Sequence, residues 1–355
     1  MKINAYITHK KAEHFIDCQD RFSVNIDTKS IAVSDGMGST WQQKIWADLL
    51  VKTYTESENW LPEKESIKEL CAKWKTSVLD FIENLKKDNA PQNIIYRNER
   101  NLIEGKSAGA TFVGIRFSET SWKGTVLGDS CLISWDGKKT LFFTSQKGDV
   151  FDSYPDYFDS NSLKEGKGDP KPIEGEISKG TTLFLVSDPF SEFLLKQHKE
   201  NKIKDYITQL IDISSHDQFE SLVSEWREEG MHNDDTTLII ICPSTDSKME
   251  IGTIDDIEKF IDDDRRKAKE EAEHKAKEED SLNEEASTQV NLEEIVSLIS
   301  SRFNDQLKAK AGSKSILKKF FDKYIIPSTI YQEAIKLYQK VILETLSQYE
   351  ITKKS

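Results

Sequence analysis

Three things are scarce in this chain, and each scarcity removes a class of protein. Its four cysteines, Cys18, Cys71, Cys131 and Cys242, lie far apart and form no Cys-x-x-Cys pair. Neither a structural zinc site nor a disulfide framework is expected, and a reducing cytoplasm fits best. No stretch approaches the roughly 18 apolar residues that a membrane-spanning helix needs. The opening Met1-Lys2-Ile3-Asn4-Ala5-Tyr6 also lacks the apolar core and cleavage pattern of a secretion signal. Positive charge is the third shortage: 49 Lys and Arg against 62 Asp and Glu leave a net charge of −13. Nonspecific binding to nucleic acid or an anionic membrane is therefore not expected. What remains is a polar, foldable chain of 355 residues, 37% hydrophobic and 31% charged. That is long for one core and suggests about two domains.

Alternating residues 2–8 read as a half-buried strand, and Phe22 to Ile26 with Ile31 to Ser34 as a hairpin turning at Asp27-Thr28-Lys29-Ser30. Ser39 or Thr40 is placed to cap a helix carrying Trp41, Ile45, Trp46, Leu49 and Leu50 on one face. A second helix is expected over 65–86, and 87–105 reads as a connection without periodicity. Strands follow at Gly109 to Phe117, Trp122 to Leu127, Cys131 to Trp135 and 139–143, the last after the hairpin signal Asp136-Gly137. Residues 145–175 look like a long surface excursion of the functional or mobile kind. Thr181 to Val186 and Thr236 to Cys242 are strands, with helices over 190–197, 202–211 and 216–229 between them. Paired strands grouped around helices, without βαβ alternation, predict an α+β fold with antiparallel sheets. The first domain is expected to span 1–245. Between Asp255 and Asp280, 19 of 26 residues are charged, so 246–287 reads as a charged linker or solvated helix. Leu292, Ile295, Val296, Ile299, Phe303 and Leu307, then Ile330 to Ile342, sit at helical spacing. Residues 288–355 are thus expected to form a small helical module, either an appendage or a surface for a partner or for self-association.

Four aspartates stand in one relation to the apolar strands. Asp35 follows Ile31-Ala32-Val33-Ser34 and precedes Gly36-Met37-Gly38; Asp129 follows Val126-Leu127-Gly128; Asp188 follows Phe184-Leu185-Val186-Ser187; Asp234 precedes Thr236-Thr237-Leu238-Ile239-Ile240-Ile241. Any one of them reads equally well as an ordinary turn. Together they can be aimed by sheets at one spot, where their repulsion calls for a cation. Oxygen donors without a Cys or His cluster select Mg²⁺ or Mn²⁺ over Zn²⁺.

In this order, Cys18-Gln19-Asp20, Ser34-Asp35-Gly36-Met37-Gly38, Ser107-Ala108-Gly109-Ala110-Thr111, Gly128-Asp129-Ser130, Ser187-Asp188 and Asp234-Asp235-Thr236-Thr237-Leu238 resemble the metal-dependent Ser/Thr phosphatases of the protein phosphatase 2C type, in their bacterial Cys-Gln-Asp form. The resemblance covers about residues 1–243. It implies a sandwich of two antiparallel β-sheets flanked by helices, here with a C-terminal helical extension, and a mobile flap over 145–175. It implies two Mn²⁺ or Mg²⁺ ions and a third, more weakly held. Asp35 would bridge the two, the Gly36 carbonyl would bind one, Asp188 and Asp234 would hold the first, Asp20 would sit in or beside the shell, and Asp129 would hold the third. Asp35, Asp188 and Asp234 are then the catalytic residues, and the substrate is a phosphoserine or phosphothreonine protein. A hydroxide between two cations attacks phosphorus in line, with no covalent phosphoenzyme. Cys18 and Cys131 accordingly read as packing residues.

The pattern departs from the family in three places. Phe15 stands where many members carry a phosphate-binding Arg; His9 or His14, with Lys10 or Lys11, are the substitutes on offer, or simply surface residues. Met37 occupies the place of a proton-donating His in eukaryotic members. Pro189 follows Asp188 where Gly is usual, and is expected to push Asp188 toward an extended backbone. A non-catalytic binding module that keeps the fold, or a hydrolase of another phosphate ester, is the rival reading.

Overall fold

The computed structural model describes residues 1–146, 155–163, 166–178, 180–243 and 248–271. Met1–Glu270 forms one compact unit. A second unit, Glu271–Ser355, lies outside the described residues apart from its first, and with it the expected module 288–355. Among the described residues no helix is long and apolar enough to cross a membrane.

The chain opens with β1 (Lys2–Thr8) and, after a loop, the hairpin β2 (Arg21–Asn25) and β3 (Ser30–Ser34). Helices α1 (Gln43–Glu56), α2 (Lys64–Lys87) and α3 (Gln92–Ile103) follow. Next come β4 (Gly109–Ala110), β5 (Phe112–Phe117), β6 (Ser121–Leu127), β7 (Cys131–Trp135) and β8 (Thr140–Phe143). β9 (Phe158–Asp159), β10 (Lys171–Glu176) and β11 (Thr182–Val186) lead to α4 (Asp188–Lys199), α5 (Ile203–Asp212) and α6 (His216–Glu228). β12 (Thr236–Cys242) and β13 (Glu250–Ile254) close the sheets.

One sheet runs β13-β1-β12-β11-β7-β8, the other β10-β6-β5-β3-β2, and β4 with β9 makes a short ribbon. Pairing is antiparallel throughout except between β1 and β13. Strand periodicity explains the layers. On β12, Ile239 and Ile241 join Ile3, Val33, Val113 and Leu185 between the sheets. Leu238 and Ile240 point the other way, onto Phe190, Phe219 and Trp226 from α4 and α6. Both faces of this strand are covered, which is why it reads as an unbroken apolar run. Across the sandwich, Ala32 and Phe112 face Trp46, Leu50 and Trp74 of α1 and α2. The result is an α+β fold with antiparallel sheets, as the pattern predicts, in the helix–sheet–sheet–helix arrangement that the resemblance implies.

Three details differ. α1 begins after Gln42, in a left-handed conformation (φ 57°), with no side-chain cap. Thr40 is occupied elsewhere, donating to Met37 O at 2.8 Å and accepting from Gly109 N at 3.0 Å. The segment expected as a plain connection contains α3, whose buried face is only Ile95 and Asn98. Asn98 Oδ1 accepts from Trp41 Nε1 and Gln42 Nε2, so a polar side chain anchors this helix. Finally, the stretch expected over 246–287 as a charged linker or solvated helix is described as far as 271, where β13 extends the sheet and 257–271 is a helix with apolar contacts to the fold as well as a charged exposed face. Ile261 of that helix is buried with Ile7, Phe15 and Cys18, and Phe260 packs alongside.

Candidate metal centre

β3 delivers Asp35 to one end of the sandwich, where β4 and β5 clamp it. Thr111 N donates to Asp35 O at 2.9 Å, and Asp35 N donates to Thr111 Oγ1 at 3.3 Å. Ser130 Oγ lies 2.6 Å from that same hydroxyl. Met37 N donates to Gly109 O at 2.9 Å, and Gly36 bridges to Ala110. A Cβ on Gly36 would stand 3.0 Å from both Gln19 O and Gln43 Cγ, so a side chain there would crowd the turn. The Ser107-to-Thr111 motif therefore serves as a backbone clamp on the Asp35-Gly36 turn.

The other carboxylates arrive from separate elements. Gly128 adopts φ +95°, and a Cβ there would meet Asp156 O at 2.6 Å, so glycine alone admits the turn that presents Asp129. Asp188 is the first residue of α4. Pro189 sits in the first helical turn, where a missing N–H costs nothing, so the expected extended backbone at Asp188 is not observed. Ser191 Oγ lies 2.7 Å from Asp129 O and 3.0 Å from Asp188 O, tying the two segments together. Asp20 is fully buried, and its Oδ2 accepts from Thr237 Oγ1 at 2.7 Å. Oδ1 of Asp20 and Oδ1 of Asp129 are buried without a hydrogen-bond partner.

Asp234 sits where α6 turns into β12. Arg227 fixes that turn, its Nη2 donating to Asp234 O at 2.7 Å and to His9 O at 3.1 Å. The neighbouring Asp235 holds both ends of the 9–20 loop, accepting from Lys10 N at 3.0 Å and Gln19 N at 2.7 Å. Lys10 Nζ then reaches Asp234 Oδ1 at 2.9 Å. His232, which the sequence reading missed, joins Asp188 and Asp234: one donor atom from each of the three lies within 4.8 Å of the others. The only sequence signal was a histidine two places before Asp234.

The electrostatics of the group follow from packing acids together out of water. Burial, then the charges of Asp188 and Asp20, push Asp35 well above the usual carboxylate range. Burial, then Asp129 and Asp234, do the same to Asp188. Asp20 rises to about 7, through burial and then Asp235, although the Thr237 and Ser187 hydroxyls oppose the shift. Asp129 rises to about 6, mainly through burial. For Lys10, burial favours the neutral amine, but Asp234 outweighs it and the net shift is upward. Such a group binds protons that a divalent cation would replace. Orphaned buried oxygens and a donor set of carboxylates with one imidazole fit such an ion.

Of the residues offered in place of the phosphate-binding Arg, His9 and His14 have unlike surroundings. His14 is exposed. His9 stands edge-on to Phe15 at 4.7 Å, with Nδ1 2.8 Å from Lys10 O. Phe15 is buried, and its N–H donates to Asp264 Oδ2 at 2.7 Å. Lys10 is thus the cation of this loop that contacts a site carboxylate. Cys18 and Cys131 are fully buried free thiols, in keeping with a packing role.

Comparison with solved structures finds distant likenesses. A bacterial serine phosphatase aligns at 12% identity over 69% of this chain and 98% of its own, with a TM-score of 0.43. Serine/threonine phosphatase Stp1 from Staphylococcus aureus aligns at 13% identity over 68% and 94%, with a TM-score of 0.43. The catalytic domain of the serine/threonine protein phosphatase PstP, in complex with two manganese ions, aligns at 11% identity over 67% and 96%, with a TM-score of 0.39. No curated protein matches. The profile of the Protein phosphatase 2C family matches residues 10–229, more than half the chain, and on that match the chain belongs to this family.

Proposed function

We propose that this protein hydrolyses phosphoserine and phosphothreonine in proteins, using Mn²⁺ or Mg²⁺, in the cytoplasm, and that it is a bacterial-type member with the Cys-Gln-Asp motif. The observation that carries the reading is the convergence of acids from separate segments, two of them with orphaned buried oxygens. Asp35 would hold two cations and the Gly36 carbonyl one of them, Asp188 and Asp234 would hold the first, Asp20 would sit in or beside the shell, and Asp129 would hold a third, weaker ion. Cations bound there would make hydroxide available near neutral pH and offset charge on the phosphoryl oxygens. The chain's own part is positional. Thr111 and Ser191 fix the acids, and Lys10 offers a positive charge where a phosphate would enter. Met37 cannot donate a proton to the leaving group. The catalytic unit is Met1–Glu270, with 288–355 serving recruitment or self-association.

Purified protein should hydrolyse p-nitrophenyl phosphate and a phosphothreonine peptide with Mn²⁺ and stop in EDTA. Unchanged turnover in Asp35→Asn or Asp234→Asn would refute the site. One observation favours a non-catalytic binding module: Phe15, at the usual Arg position, is buried beneath the 257–271 helix. Tight Mn²⁺ binding without turnover on several phosphopeptides would select that reading.

A further inference from the structure

We infer that His232 belongs to the metal centre, adding an imidazole nitrogen to Asp188 and Asp234 and giving this position a preference for Mn²⁺ or another first-row transition ion over Mg²⁺. The inference deepens the phosphatase reading and rests on it. Donor atoms around one ion at about 2.1–2.2 Å lie within roughly 4.4 Å of one another. The three donors here already lie within 4.8 Å, so closing on an ion asks for little movement.

The loop that carries His232 is held on either side of it. Gly230 takes φ +100° at the end of α6, and Met231 is buried in the core beneath. Asn233 Oδ1 accepts from Lys11 N at 2.8 Å, and Asp234 N donates back to His232 O at 3.1 Å. The imidazole is therefore presented from a fixed turn, and it is exposed. A second observation points to a ligand independently of this triad. Asp20 Oδ1 and Asp129 Oδ1 are buried and unpartnered, and both acids act electrostatically on Asp188. Lys10 Nζ, 2.9 Å from Asp234 Oδ1, is one positive charge against Asp20, Asp35, Asp129, Asp188 and Asp234, so the group remains short of positive charge.

The donor chemistry then decides which one. Mg²⁺ demands oxygen and keeps its waters, whereas imidazole suits first-row transition ions. An all-carboxylate site would not make that distinction, so the single histidine changes selectivity rather than merely adding affinity.

Full-length protein stripped of metal, with the variants His232→Asn and His232→Ala, would be titrated with Mn²⁺ and with Mg²⁺ by calorimetry. The Mn²⁺ form would also be examined by pulsed electron paramagnetic resonance. The wild type should show the coupling of a directly bound imidazole nitrogen, and both variants should lose it. Mn²⁺ affinity should fall about tenfold in the variants while Mg²⁺ affinity moves by no more than about twofold. Mn²⁺ bound by the wild type without nitrogen coupling, or equal losses for the two ions, would overturn the role of His232 and leave the carboxylate site standing. Failure of the wild type to bind either ion would overturn both this inference and the phosphatase reading. The spectroscopic arm on the wild type does not depend on the variants folding.

Discussion

Thr237 Oγ1 donates to Asp20 Oδ2 at 2.7 Å, between residues 217 positions apart. Thr237 belongs to β12 of one sheet and Asp20 leads into β2 of the other, so this bond closes the sandwich at the end that carries the acids. Thr237→Val keeps the shape and removes the donor. A hydrogen bond to an ionised carboxylate contributes about 1.5–3 kcal/mol, and since Asp20 is raised to about 7 the variant should lose that order of stability in urea unfolding at about pH 8 and bind Mn²⁺ more weakly. Thr237→Ser should stay near wild type. A Thr237→Val protein with unchanged Mn²⁺ affinity would show that Asp20 needs no such anchor.

Mutually repelling buried acids should make the metal-free protein less stable than its own neutral variants. Asp35→Asn removes the cost of holding a carboxyl there, whether as a repelled charge or by taking up a proton on folding, and in EDTA it should melt higher than wild type, by about 1–2 kcal/mol of stability. With saturating Mn²⁺ the order should reverse, because a cation bound only to the folded state adds about 2.7 kcal/mol at a hundredfold excess over Kd. Differential scanning calorimetry with and without Mn²⁺ checks both halves.

His216 lies outside the site and sets a different pH dependence. Its Nδ1 is 2.8 Å from Asp255 Oδ2 and its Nε2 is 3.3 Å from Glu220 Oε1. Burial favours the neutral ring, yet the two acids outweigh it and raise the pKa from 6.5 to about 9. The folded value lies above the unfolded one, so the stabilisation is complete below pH 6.5 and is lost as pH climbs through about 9. The gap between wild type and His216→Gln should be roughly 2 kcal/mol at pH 6, after discounting the exposed part of the ring. It should narrow toward pH 9.5; a constant gap from pH 6 to 9.5 would exclude the ion pair as its source.

The boundary near 245 is testable by truncation. A chain ending at Cys242 or Pro243 loses β13, the Asp255 partner of His216, and the apolar contacts of Phe260 and Ile261. At about 1.5–3 kcal/mol for each buried apolar side chain, it should unfold at least 3 kcal/mol more easily than a chain ending at Glu271. Equal urea midpoints would return 246–271 to the status of a linker.

Strands buried on both faces, such as β3, β11 and β12, were legible from their apolar runs, and the acids at their ends were singled out by their shared position, while the roles proposed for them came from the resemblance. α3 was not legible, since one isoleucine and one buried asparagine make no periodic stripe. A solvated helix was one reading of the charged stretch, but the packing of 257–271 was masked by charge: only Ile257, Phe260 and Ile261 touch the core, among exposed Asp, Lys and Arg. Contacts decided by tertiary geometry were beyond reach altogether. Nothing local distinguishes Lys10 from His9 or His14, and it is Arg227 and Asp235 that bring the loop of Lys10 onto Asp234.

Pro189 carries a last consequence. The ring fixes its own φ but disfavours the helical backbone that Asp188 adopts as the first residue of α4, so the fold holds Asp188 against that bias. Ser191 then holds the carbonyl of Asp188 from one helical turn further on. Whatever Asp188 captures, its backbone is already ordered at that moment, because the first turn of α4 and the Ser191 hydroxyl hold it there. A glycine at 189 would lift that bias but free the backbone beside Asp188, leaving α4 and Ser191 alone to hold the carboxylate in place.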